Sequence, residues 1–139
     1  MAFVDEILTH LDAQCGDYQA MYREGLQQRD CLRNDDLPGL SAATQRMRGL
    51  MDRVQLRQRE LPPDLTKLER TQPAVAERTE SMRQLIHAIL EVREQSESAA
   101  QTLLDNTQDE LRSFGAGRRA ARQYQPTRVN EARFTDGRR

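Results

Sequence analysis

The sequence predicts an all-α fold: an elongated antiparallel three-helix bundle or coiled coil, followed by a flexible basic C-terminal tail. Three observations predict it. Apolar residues recur three and four apart over long stretches, which keeps one stripe on the same side of an α-helix and obliges that stripe to be buried. The 139 residues are 37% hydrophobic, 31% charged and 4% aromatic, a balance that suits packed helices better than a deep globular core. Pro and Gly are few, five and seven, and they cluster around 37–39, 62–63 and 115–117, where helices would end.

The first helix is predicted over 3–33. Its stripe is Val4, Leu8, Leu11, Cys15, Tyr18, Tyr22, Gly25, Arg29 and Leu32. Asp5 and Glu6 lie in its first turn, where carboxylates favour the positive end of the helix dipole. Gly25 falls on the stripe, where it either permits close helix approach or is simply tolerated. Asn34-Asp35-Asp36 stops this helix and restarts the chain, an Asp supplying the N-cap of the second helix and Pro38 fitting its first turn.

The second helix is predicted over 36–60, with Leu37, Leu40, Thr44, Met47, Met51, Val54 and Leu61 on one side. Pro62-Pro63 ends it, because the first Pro also pushes Leu61 out of helical geometry. Thr66-Lys67-Leu68-Glu69 has capping-box spacing and starts a short helical turn. Pro73 then suits the first turn of a third helix over 74–113. The stripe of that helix is Val75, Met82, Leu85, Ile86, Ile89, Val92, Ala99 and Leu103, with Leu104 and Leu111 beyond. Gly115-Ala116-Gly117 is expected to break it. The chain thus divides into a helical bundle, 1–113, and a flexible Arg-rich tail, 114–139.

Helix lengths carry an inference. At ~1.5 Å per residue the three helices span about 46, 37 and 60 Å, so the third outruns its neighbours by roughly 14 Å. Leu104, Leu111 and Phe114 fall on that overhang without an internal partner. Such a stripe is either a docking surface for another protein or a face for dimerisation.

Little in the chain points to catalysis. His10 and His87 are the only histidines, and Gln84-Leu85-Ile86-His87 lacks the carboxylate of a Glu-x-x-His di-iron motif. Glu6 and His10 share a helix face, which reads as surface pairing. Cys15 and Cys31 would be about 24 Å apart along one helix, too far to bridge. Free thiols suit a reducing compartment. Gly115-Ala116-Gly117-Arg118 follows a helix rather than a strand and lacks the Gly-Lys-Ser/Thr of a phosphate loop. No enzyme activity, cofactor or metal is therefore expected.

Charge is uneven. Residues 1–113 carry 14 basic against 20 acidic residues, and 114–139 carry seven Arg against Glu131 and Asp136. The tail arginines, with Phe114, Tyr124 and Phe134, raise a nucleic-acid reading. The acidic body repels polyanions, so no nucleic-acid partner is expected. Acids at Asp5 and Glu6 stand where a signal peptide carries basic residues, and no apolar run approaches the ~20 residues of a membrane span. The expectation is a cytoplasmic protein.

The first helix carries Tyr22-Arg23-Glu24-Gly25-Leu26-Gln27-Gln28-Arg29-Asp30 before a turn at Asn34-Asp35-Asp36-Leu37. A second helix with Leu40 and Leu50-Met51 follows, then a long third helix and Phe114-Gly115-Ala116-Gly117-Arg118. This layout resembles the FlgN family of flagellar export chaperones. The resemblance implies a cytoplasmic helical bundle that binds the C-terminal segments of hook–filament junction proteins and keeps them monomeric. It also implies delivery to the type III export gate, with only peripheral contact with that membrane-embedded gate. The implied cargo groove lies on the third helix, at Leu85, Ile86, Ile89, Val92, Ala99, Leu103, Leu104 and Leu111. Phe114, where the family often has Tyr, and Tyr124 are the implied gate contacts. A homodimer in the free state is compatible with this picture. The competing reading is a homo-oligomeric coiled-coil scaffold or adaptor with no secretion role.

Overall fold

The computed structural model of the protein describes residues 2–124. Among them are four helices and no strand: α1 (Ala2–Arg33), α2 (Leu37–Glu60), α3 (Leu65–Thr71) and α4 (Pro73–Tyr124). The chain divides into two compact units, 1–101 and 102–139.

The breaks between helices have local causes. Asp35 adopts φ 54°, the left-handed conformation that closes a helix C-terminus. The Asp36 amide then reaches back to the Cys31 carbonyl at 2.8 Å. Asp36 also caps α2, its carboxylate accepting from the Gly39 amide at 3.0 Å, with Pro38 in the first turn. Leu61 is extended (ψ 144°), as the residue before a proline must be. Gln72 is extended before Pro73 in the same way, and α4 begins at that proline.

Two expectations are corrected. The chain forms four helices rather than three, because 65–71 folds into a separate short helix between the two proline breaks. The third predicted helix also does not end near Ser113; α4 runs on through Gly115 and Gly117 to Tyr124. Each interior Gly costs about 1 kcal/mol against Ala, but Ala116 and the run Arg118-Arg119-Ala120-Ala121-Arg122 are strong helix formers that outweigh them. The remainder of the expected tail, 125–139, lies outside the described residues.

Within the first unit, side-chain contacts between helices show their directions. Glu24 meets Arg46, Asp17 meets Arg53 and Arg57, and His10 lies 3.4 Å from Glu60, so α2 runs antiparallel to α1. Asp12 meets Arg78 at 2.9 Å, and Arg29 donates to Gln95 at 2.8 Å, so α4 up to residue 101 runs in the same direction as α1. Cys31, Ala43, Val54 and Val92 are buried along the helices, and one apolar cluster gathers at one end, where Ile7, Leu11 and Val75 are buried under Leu61, Leu65, Leu68 and Met82. The short α3 therefore serves as a lid on this end, tied to α4 by Glu69 and Arg83 at 2.9 Å. In the second unit Leu104, Leu111 and Phe114 expose 51%, 65% and 65% of their surface, and Arg118 stands 5.7 Å over the Phe114 ring.

Candidate functional site

Further along α1, beyond the reach of the α3 leucines, the three long helices leave an apolar cleft of about 450 Å³. Its floor is the α1 stripe at Tyr18, Met21, Gly25 and Gln28, spaced three, four and three. One wall is Met47 and Met51 of α2. The other is Ile86, Ile89, Leu90, Arg93 and Ser96 of α4. Helical spacing brings each set to one face.

Gly25 deepens the floor. A Cβ there would lie 3.4 Å from Val92 Cγ1 and 3.8 Å from the Met47 methyl, ordinary contact distances. The glycine thus leaves room rather than relieving a clash, which decides between the two readings of this residue.

The cleft is apolar at one end and polar at the other. Tyr18, Met21, Met51 and Ile86 make the apolar end, where burial raises the pKa of the Tyr18 phenol. At the other end the Gln28 amide donates to Thr44 Oγ1 at 3.3 Å, and Arg93 pairs loosely with Glu97 at 3.4 Å. The Ser96 hydroxyl is buried and has no hydrogen-bond partner among the described residues. Nearby carboxylates are engaged: Glu24 by Arg46 and Asp30 by Arg29. Asp17, only 6% exposed at its side chain, is held by Arg57 at 2.8 Å and Arg53 at 3.4 Å, a structural clamp between α1 and α2.

Nothing in this arrangement activates a nucleophile. Both cysteines are free, and burial raises both thiol pKa values, with Asp12 adding to the effect at Cys15 and Asp36 at Cys31. Among the described residues no group of three or more His, Cys, Asp or Glu could hold a metal ion. None of the described helices is long and apolar enough to cross a membrane.

Of the residues proposed from sequence for a cargo groove, Ile86 and Ile89 line the cleft. Val92 is buried against Gly25 and belongs to the helix interface. Leu85, Ala99 and Leu103 are half-buried, while Leu104 and Leu111 are exposed in the second unit. Phe114 is exposed as well, and Tyr124 is the last residue of α4. Sequence reasoning missed Tyr18, Met21, Met47, Met51 and Leu90 as cleft residues. The signal was present for most of them, since Tyr18, Met47 and Met51 fall on predicted stripes, but those stripes read as core.

Residues 16–126 match the family model described as "FliT: Flagellar protein FliT". No curated protein and no solved structure matches. The matching family is not the FlgN family that the layout resembles; the two are related but different families of flagellar export chaperones, and the broader class stands.

Proposed function

Because the chain belongs to the FliT family of flagellar export chaperones, we propose that its cleft seats an amphipathic helical segment of an exported flagellar protein. The observation that carries the reading is an apolar cleft with Met51, Ile86 and Leu90 exposed at its mouth, in a chain of that family. A cargo helix laying apolar residues at i, i+3, i+4 and i+7 into the cleft would cover them. Three methionines suit such a task, since unbranched thioether side chains repack around differently shaped partners. The chaperone acts in the cytoplasm, keeps its cargo monomeric and hands it to the type III export gate. Phe114 and Tyr124, beyond the cleft on α4, are the candidates for contact with that gate.

The apolar lining supports an amphipathic helix as occupant, and the junction proteins implied by the FlgN resemblance form one arm of the test. C-terminal segments of exported flagellar subunits, junction proteins among them, are co-expressed with the chaperone and co-purified. Met51→Glu should lower capture by about tenfold or more, because it places a carboxylate against an apolar cargo face. Helicity should stay at the native level, since Met51 is exposed. Capture that survives Met51→Glu and Ile86→Glu together would remove the cleft from consideration. A tight homodimer that takes up no cargo would instead favour the scaffold reading.

A further inference from the structure

We propose that the Arg93–Ser96 end of the cleft is a carboxylate seat that sets the direction of the bound helix, an inference that rests on the cleft being the cargo site. The first observation is the Ser96 hydroxyl. Serine and threonine inside helices usually return their hydroxyl to a carbonyl of the preceding turn. Thr9, Thr79 and Thr107 of this chain do so, at 2.9, 3.0 and 2.9 Å from the carbonyls of Asp5, Ala76 and Leu103. Ser96 does not, and its oxygen is buried in the cleft wall without a partner among the described residues. A buried hydroxyl left unpaired is unfavourable, and an incoming acceptor would relieve it.

The second observation is charge. Arg93 lies one turn before Ser96 and lines the same cleft. Its pairing with Glu97 is a 3.4 Å contact between two side chains that are 73% and 67% exposed, which holds it only weakly. A carboxylate brought in by the occupant can therefore compete for the guanidinium and accept from the serine at once. The opposite end of the cleft is lined by Tyr18, Met21, Met51 and Ile86, with no charged group among these lining residues.

This polarity fits an amphipathic helix of about three turns, the ~15 Å from Ile86 to Ser96, with its C-terminal end at Arg93 and Ser96. Unpaired carbonyls and the negative end of the helix dipole gather there. The occupant would run in the direction of α1 and α4. Its carboxylate is either the α-carboxylate of a chain terminus or an Asp or Glu side chain in the last turn.

The test uses fluorescent synthetic helices of about twelve residues with leucines at i, i+3, i+4 and i+7. They are made with a free C-terminal carboxylate, with an amidated terminus, and amidated with Glu in the last turn. On the native protein, fluorescence anisotropy should show at least one carboxylate-bearing form binding about fivefold tighter than the plain amide, and whichever form gains identifies the source. That preference should vanish in Arg93→Gln/Ser96→Ala, while Met51→Glu weakens every form. Ser96→Ala alone should keep or raise Tm, because it removes an unpaired buried hydroxyl. Equal binding of the three forms to the native protein, a preference that survives the double substitution, or a Tm lowered by Ser96→Ala overturns the carboxylate seat and leaves the cleft standing. Failure of all three forms to bind overturns both.

Discussion

Asp35 and Gly39 show how much of the α1–α2 corner rests on single residues. Asp35 is held at φ 54°, where a side chain crowds its own backbone, so Asp35→Gly should stabilise the fold by up to about 1 kcal/mol in a denaturant titration. Gly39 has the opposite constraint. A Cβ there would run into the Asp36 carboxylate that caps α2 and the Cys31 thiol that donates to it. Gly39→Ala should therefore displace the cap and lower stability by about 1–2 kcal/mol in the same measurement. The cysteines carry a third prediction at this scale. Burial raises both thiol pKa values, so each thiol keeps its proton to higher pH than a free one. Alkylation of the native protein near pH 8.5, the ordinary thiol pKa, should be much slower than of the urea-unfolded chain. Equal rates would mean that the thiols are open to solvent. The α1–α2 stop was legible at Asn34-Asp35-Asp36, because caps and left-handed residues are local matters. The crowding at Gly39 was not, since it depends on where the Cys31 side chain lands across the turn.

At the scale of elements, α4 is the instructive case. Gly115 and Gly117 read as a helix end, yet the helix continues to Tyr124, because the summed propensity of a segment outweighs two poor residues within it. The apolar residues of α4 also have different fates. Val92 is buried, Ile86 and Leu90 edge the cleft, and Leu104 and Leu111 stand in solvent. Sequence spacing put Val92, Leu104 and Leu111 in one list because periodicity reports a shared face and not the neighbour that covers it. Leu104→Asp with Leu111→Asp should thus leave far-UV circular dichroism and Tm near native values, since neither leucine is core. If these residues extend the cargo surface along α4, the same pair should also abolish capture. Unfolding of the double variant would show that they are structural after all.

For the whole molecule, the decisive feature is the division of labour in the first unit. The short α3 closes one end of the three long helices over Ile7, Leu11 and Val75, and further along the same helices no such lid covers Met21, Met51 and Ile86 among the described residues. The match of 16–126 shows a family of flagellar export chaperones, and the guest helix proposed for it lies along that stretch. The sequence by itself determined that the chain is helical, where its first two long helices start and stop, and that a disulfide between Cys15 and Cys31 is out of reach. Those properties follow from periodicity, prolines, caps and helical rise, all of which act over a few residues or along one rod. Only the tertiary structure decided that methionines from α1 and α2 share a cleft with α4, that Val92 is buried against Gly25, and that Ser96 lacks a partner among the described residues. Each depends on which side chains from distant segments arrive at the same place, and a one-dimensional pattern does not contain that information.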